Sequence, residues 1–477
     1  MKKNPILRFC LTFMLILTAL PAFSTGTMEQ TVASAATTTQ KSSSADQIST
    51  DLQSIERLYR YVDSIYYEDV DKQKVFQSLA SAMIASLDDR YSFYVPPEEA
   101  KNYQEENTGI YGGIGTYLNK PAPELKDPKD PSSYMITIIS PFPGSPAQRA
   151  GLIAGDLISH INGEKVDDLT SNEASIKLRG EPNTEVTITV YRNGASFDIT
   201  LKREKITTPT VESEILDGDL GYVILSEYSP QTGTQLQKKV AELAKQDIKG
   251  LIIDERNNPG GAVDGALQAA NIFLPSGKTL VTIQGRKGTK NDQRYVSTGT
   301  MSFPEDIPIV ILTNGGSASS AEIFAAALHD NKRATLIGTK TFGKGIVQDV
   351  FKFGEGFAQI TTAHYYTPNN VNIHGVGIEP DIISEDIKLK DDQIPAYEKL
   401  MKDKVIQSFE KDHPEPTTEN IKLFAQENKD LGIDTDILSI LMRNEYYAKI
   451  PYDTRPLGDM VFDTQLKRGV EFLRTGK

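Results

Sequence analysis

Two continuous apolar runs, GLII (250–253) and IPIVIL (307–312), most restrict what this chain can become. A strand that alternates polar and apolar residues keeps one wet face. A strand apolar at every position must be covered on both faces, which calls for a mainly parallel sheet between layers of helix. The neighbouring segments agree. LGYVILSEY (220–228) reads as a strand, Thr232 to Ala244 as an amphipathic helix, Ala262 to Phe273 as a second helix and residues 319–330 as a third. ATLIGTKTFGKGIVQDVFKF supplies a strand, a glycine-rich turn and a further strand. This alternation predicts an α/β core with a mixed, mainly parallel sheet over residues 206–385.

The flanks have other textures. Leu52, Ile55, Leu58, Tyr59, Val62, Ile65 and Tyr66 recur at helical spacing. A second helix runs from Lys72 to Leu87 and ends at LDDRYSFYVPPEE, where Pro96 and Pro97 stop it. Residues 46–100 therefore read as a helical region. Residues 101–205 hold short strands, two short helices and a hairpin turning at Asn193-Gly194, a self-contained small module. The tail, 386–477, is charged and helical, with LSILMRNEYY and TQLKRGVEFL as amphipathic pieces. The apolar faces of both helical regions exceed what one small core would bury, which predicts a homodimer interface.

The N-terminus reads as an export signal. Lys2, Lys3 and Arg8 precede a mostly apolar run, Phe9 to Phe23, and Ala33-Ser34-Ala35 offers a small-x-small cleavage site. We assign 1–35 to a signal peptide, with a retained anchor as the alternative, and 36–45 to a polar linker. Cys10, the one cysteine, lies in that leader. The mature chain would then have no thiol, which excludes disulfides, cysteine nucleophiles and thiolate metal sites. A formal net charge of −13 disfavours nucleic acid as a partner.

Chemistry in open α/β sheets gathers at the carboxyl ends of strands. One such end is DERNNPGG (254–261); another is TNGGSASSAE (313–322), where Ser317, Ser319 and Ser320 precede a helix. A hydroxyl there faces free backbone N–H groups, and the helix N-terminus favours developing negative charge. An ordinary turn and N-cap would look the same. Lys344 stands between two glycines in TFGKG, with Gln348 four residues on. A desolvated lysine can act as a base near neutral pH, and a neutral amide could hold its amine without adding charge. An exposed loop lysine is the alternative. A Ser–His–Asp mechanism has only His160, His329, His364, His374 and His413 to draw on, of which His364 and His374 stay open.

These segments together resemble the carboxy-terminal processing (tail-specific) protease family, Ser–Lys peptidases with an inserted PDZ domain. The resemblance rests on LDDRYSFYVPPEE (87–99), YGGIGTYL (111–118), GSPAQRAGLIAGDLISHINGE (144–164), DERNNPGG, residues 314–348 and YYTPNNVNIHGVGIEPD (365–381), in family order. It is closest in appearance to the sporulation-type CtpB proteases of spore-forming bacteria, in which the helical ends pair subunits. It implies a crotonase-like peptidase core with Ser319 as nucleophile, Lys344 as base and Gln348 as supporting amide. Lys344 follows Ser319 by 25 residues, as in the family. The oxyanion hole would use backbone N–H groups of Ser320 and of the turn Gly260-Gly261. Tyr111, Gly112, Gly113, Ile114 and Gly115 would form the carboxylate-binding loop of a PDZ domain. Arg179 would couple that domain to the active site, and Asn183 stands where the family more often has glycine. The resemblance implies no cofactor and no metal. Substrates would be proteins outside the cytoplasm, membrane-tethered ones among them, with accessible apolar C-termini. The other class of reading is an inactive PDZ-bearing scaffold.

Overall fold

The computed structural model describes residues 44–120, 131–192, 194–287, 292–385, 387–450 and 454–476. The signal-peptide assignment, nearly all of the linker and Asn193 of the hairpin turn lie outside them. Among the described residues no helix is long and apolar enough to cross a membrane.

The chain divides into two compact units, one ending at Lys72 and one running from Gln73 to Lys477. The first contains α1 (Ser44–Ile65), whose stripe of Leu52, Leu58 and Ile65 is about 60% exposed.

α2 (Lys72–Ala85) and β1 (Phe93–Val95) open the second unit. The prolines expected only to stop a helix also start one. Pro96 is the N-cap and Pro97 the first residue of α3 (Pro97–Thr108), where a missing N–H costs nothing.

The small module is entered through β2 (Ile110–Gly113) and left through β9 (Glu204–Thr207), which pair antiparallel and close it at its base. Between them lie β3 (Thr116–Asn119), β4 (Ile136–Pro141), α4 (Pro146–Arg149), β5 (Leu157–Ile161), β6 (Glu164–Lys165), α5 (Ser171–Leu178), β7 (Glu185–Arg192) and β8 (Ala195–Lys202). The strand order is β3-β4-β5-β7-β8, with β6 on β5. Its own core includes Ile136, Ile138, Ile158, Val186, Ile188 and Val190. Thr170 caps α5 in a reciprocal capping box with Glu173. Asn183 takes φ 74°, the left-handed conformation that glycine would otherwise supply.

The α/β core follows: β10 (Val211–Leu216), β11 (Leu220–Leu225), α6 (Thr232–Ala244), β12 (Gly250–Asp254), α7 (Val263–Asn271), β13 (Thr279–Gly285), β14 (Gln293–Val296), β15 (Ile309–Thr313), α8 (Ser320–Asp330), β16 (Ala334–Gly338), β17 (Ile346–Phe353), β18 (Gly356–Tyr366) and β19 (Ile382–Ile383). The central sheet runs β10-β11-β12-β15-β16-β19 and is parallel except at β10. Its two apolar runs are covered on both faces. Leu251, Ile253, Ile309 and Ile311 pack with Leu236 of α6, Ala266 of α7 and Phe324 of α8. The alternate residues Ile252, Val310 and Leu312 pack with Leu466 and Val470. A second sheet, absent from the sequence reading, is antiparallel: β1-β18-β13-β14, with β17 also on β18.

The tail contains α9 (Ile394–Lys402), α10 (Val405–Asp412), α11 (Thr418–Glu427), α12 (Thr435–Lys449) and α13 (Thr464–Thr475). Here the expected surplus of apolar surface does not hold. Leu400, Phe409, Phe424, Leu438 and Met442 form a core of their own, and Leu466 and Val470 of α13 cover the central sheet.

Candidate active site

Ser319 sits between β15 and α8 with φ 56° and ψ −115°, outside the regions a serine ordinarily occupies. Such strain costs on the order of 1–3 kcal/mol and persists only where the surroundings enforce it. Here the Tyr365 hydroxyl donates to Ser319 O at 2.9 Å, and the Ser319 N–H donates to Glu322 Oε2 at 2.9 Å. Gly260 lies against the turn from the other side. A Cβ there would fall 2.6 Å from Ala318 O and 2.8 Å from Ser319 Cβ, so only glycine fits.

The three serines separate by their partners. Ser317 Oγ donates to Glu255 O at 2.7 Å, and Ser320 Oγ donates to Gly261 O at 2.8 Å. Both are buried and tie the Ser319 turn to the neighbouring loop. Ser319 is partly exposed and lines a cleft of about 610 Å³ together with Gly261, Val263, Lys344, Gln348 and Phe357.

The two glycine turns are laced together. Asn257 N–H donates to Asn314 Oδ1 at 2.9 Å, and Ala318 N–H donates to Asn258 O at 2.9 Å. The Gly260 N–H is taken by Asn258 Oδ1 at 2.9 Å. Gly260 thus shapes the turn, and the expected donor from it is left to Gly261: neither its N–H nor that of Ser320 meets an acceptor among the described residues.

Lys344 lies in the turn between β16 and β17. Its Nζ rests 4.8 Å from the centroid of the Tyr91 ring, and Asp89 is the acid that acts on it. Burial lowers its pKa, and the nearby Arg90 lowers it further, against the pull of Asp89. Gln348 projects from β17 into the same cleft, but its Nε2 donates to Thr361 Oγ1 at 3.3 Å and not to Lys344. The expected amide-to-amine contact is therefore not made in this conformation.

One residue joins the two halves. Glu322 is fully buried in the first turn of α8. Its Oε2 accepts the N–H of both Ser319 and Lys344, the latter at 2.8 Å. Its Oε1 accepts the Gly343 N–H at 2.8 Å and the Thr341 hydroxyl. Burial pushes the Glu322 pKa up, and the four donors oppose that. The sequence signal was the Ser-x-x-Glu spacing of a helix start, which speaks of capping and not of a link to a lysine 22 residues on.

Residues 219–384 match the model for Peptidase family S41, residues 137–192 a PDZ domain, and residues 15–99 the activating protease CtpB N-terminal domain. A carboxy-terminal-processing protease of Bartonella bacilliformis is 36% identical over 335 residues, 69% of this chain and 74% of that protein. The chain belongs to the carboxy-terminal processing protease family. Probable CtpA-like serine proteases of Staphylococcus aureus are also 36% identical, over 332 residues; the match spans 69% of this chain but only 64% of theirs. Among solved structures, a photosystem II D1 C-terminal processing protease is 27% identical over 71% of this chain and 88% of that one, with a TM-score of 0.41.

In this family member the segment expected to bind a carboxylate borders a narrow groove between β3 and α5. Ile114 O accepts the Ala147 N–H and Gly115 O the Phe142 N–H, both at 2.9 Å. Gly115 takes φ 72°. Tyr111 and Gly112 belong to β2 and pair with β9, so they are committed to the base of the module. The cavity bounded by Gly113, Ile114, Gly115, Leu178 and Arg179 is about 20 Å³. That is room for about one water, which fills roughly 10–15 Å³ by this measure, and not for a peptide side chain. Arg179 closes one side: its Cζ stands 4.4 Å over the Tyr111 ring and its Nη1 lies 3.6 Å from Glu105 Oε2.

No histidine lines the Ser319 cleft. His329 is held between Asp330 (3.0 Å) and Asp381 (3.1 Å), which raises its pKa to about 9. His364 and His374 meet edge to face, with ring centroids 5.4 Å apart.

Proposed function

We propose that this chain is an exported serine endopeptidase that engages protein C-terminal tails through its PDZ domain and cleaves peptide bonds with Ser319 as nucleophile and Lys344 as base. The observation that carries this reading is the shared carboxylate oxygen of Glu322, which holds the backbones of Ser319 and Lys344 beside one cleft. Neutral Lys344 removes the Ser319 proton, and Oγ adds to the scissile carbonyl. The oxyanion is received by the N–H groups of Gly261 and Ser320, donors of a kind that contribute about 2.7–4 kcal/mol each. The C–N bond breaks, the amine departs with the proton from Lys344, and water, deprotonated by the same lysine, releases the acyl group. Gln348 supports the amine once it turns from Thr361.

On this reading a bound tail widens the narrow PDZ groove, and the contacts of Arg179 support a role in reporting that event. It contacts Tyr111 of the groove base and Glu105 of α3, the helix whose Tyr103 and Asn107 line the cleft. Arg179→Ala should cleave tailed and tailless substrates at similar rates; unchanged regulation by tails would remove Arg179 from this role. Substrates of this kind, partly unfolded or membrane-tethered and outside the cytoplasm, fit regulated proteolysis or signalling. The match of residues 15–99 to the CtpB N-terminal domain supports a sporulation-type assignment. The exposed stripe of α1 supports a homodimer, which light scattering of a Leu52→Glu, Leu58→Glu variant checks.

The deciding experiment compares wild type, Ser319→Ala and Lys344→Ala on an unstructured protein with and without an apolar C-terminus. Loss of cleavage in both variants is expected. Cleavage surviving in Ser319→Ala would overturn the mechanism, and equal cleavage of both substrates would overturn tail recognition.

A further inference from the structure

The turn Asp88–Ser92 joins α2 to β1, far in sequence from both Ser319 and Lys344. It is a tightly built object. Asp88 takes φ 52°. Asp89 closes the turn by accepting the Tyr91 N–H at 3.0 Å and the Ser92 hydroxyl at 2.6 Å. The turn is then fastened to β18 at two points: Ser92 Oγ accepts the Thr361 N–H at 2.9 Å, and Tyr91 O accepts Gln359 Nε2 at 2.9 Å. Thr361 is the residue that also accepts Gln348. The result is a rigid platform under the lysine. Lys344 Nζ lies 4.8 Å from the Tyr91 centroid, and Arg90 Cζ lies 4.7 Å from the same centroid while its Nη2 donates to Tyr91 Oη at 2.5 Å.

We propose that Tyr91 and Arg90 are positioning residues for the Lys344 amine: the ring sets where Nζ rests, and the guanidinium on that ring disfavours a second cation beside it. An aromatic face alone attracts an ammonium and would hold the lysine protonated. A base must be neutral to take a proton, so the ring is useful only with something that opposes the charge. Arg90 competes for the ring and repels the ammonium. Asp89 also acts on this spot and favours the ammonium, and His374, with His364 against it, stands near Arg90 and Asp89. Burial, with His364 and Arg90, lowers the His374 pKa against the pull of Asp89. Glu322 meets Lys344 through its backbone N–H.

This inference rests on Lys344 being the base, and its test is chosen to separate the two. In a Ser319→Ala background, labelling of Lys344 by an amine-reactive reagent is followed against pH by mass spectrometry. Arg90 is exposed, so its substitution spares the fold. Arg90→Gln removes a positive charge, and the labelling midpoint should move alkaline by roughly half a unit at low ionic strength and by less in high salt. Asp89→Asn, whose amide oxygen can still close the turn, should move it the other way. In the Ser319 enzyme the acid limb of kcat/KM should follow both shifts, and Tyr91→Leu should lower kcat by roughly tenfold or more with KM little changed. Midpoints that coincide in wild type, Arg90→Gln and Asp89→Asn would overturn the proposal. Shifted midpoints in a protein that hydrolyses no peptide would uphold the platform and overturn the peptidase reading instead.

Discussion

Glu322 Oε2 accepts the backbone N–H of Lys344 at 2.8 Å while the same oxygen accepts the N–H of Ser319 at 2.9 Å. A buried carboxylate with four donors is a fixed point around which two loops are built. Neither loop needs the other's side chains to find its place; both find the same oxygen.

Glu322→Gln should therefore be far from conservative. An amide offers one acceptor oxygen and an NH2 that would face backbone donors. We expect a loss of about 3 kcal/mol in stability, typical of a broken buried charged network. Peptidase activity should fall well below that of Ser320→Ala. Chemical denaturation and hydrolysis assays on the pair check this.

Gly260→Ala should impair cleavage severely without removing any functional group. Its φ of 94° disfavours a Cβ, and that Cβ would meet Ala318 O at 2.6 Å. The nucleophile turn would be displaced. Hydrolysis is expected to drop by roughly a hundredfold, comparable to losing an oxyanion donor. An active Gly260→Ala enzyme would contradict the close approach described here.

His329 predicts a pH signature in stability. Its folded pKa is raised to about 9 by Asp330 and Asp381, above the ordinary value near 6.5. The contribution of the charged ring is then fully present below about pH 6.5 and is lost as pH rises through about 9. Wild type should unfold at a higher temperature than His329→Gln at pH 6, and the difference should vanish by about pH 10. Thermal unfolding across that range is the check.

Arg256 bridges Asp254, at the end of β12, to Asp463, the N-cap of α13, with 2.6 Å contacts to each. The Tyr222 hydroxyl adds a 2.6 Å bond to Asp254. This ties the C-terminal helix to the loop that carries Gly260 and Gly261. Asp463→Ala should cost about 3 kcal/mol, because it leaves a mostly buried guanidinium short of a partner. Activity should fall with stability, which limited proteolysis and hydrolysis measured side by side would show.

Local order was legible from residues alone. The runs GLII and IPIVIL announced strands covered on both faces, and the structure places Ile253 and Ile252 on opposite sides with a different helix layer against each. The motifs also singled out Ser319, the one of the three serines that the structure leaves partly exposed. Three things were not legible. The antiparallel sheet brings β1 against β18 across more than 250 residues, and short strands carry no mark of their partners. The tail's helices bury one another, which amphipathicity cannot reveal because it shows that a face needs cover and not what covers it. The Gly260 N–H looked available until Asn258 folded back onto it.

The sequence by itself determined periodicity, turns and the residue types able to do acid–base chemistry, since these depend on side-chain size, backbone freedom and spacing along the chain. Only the tertiary structure decided which of those groups meet. Glu322 between Ser319 and Lys344, and Tyr91 under the lysine, are relations between segments that touch only once the chain is packed. A hydrogen bond or a ring contact acts over a few ångströms, so its partners are set by the fold's geometry and leave no trace in the order of residues.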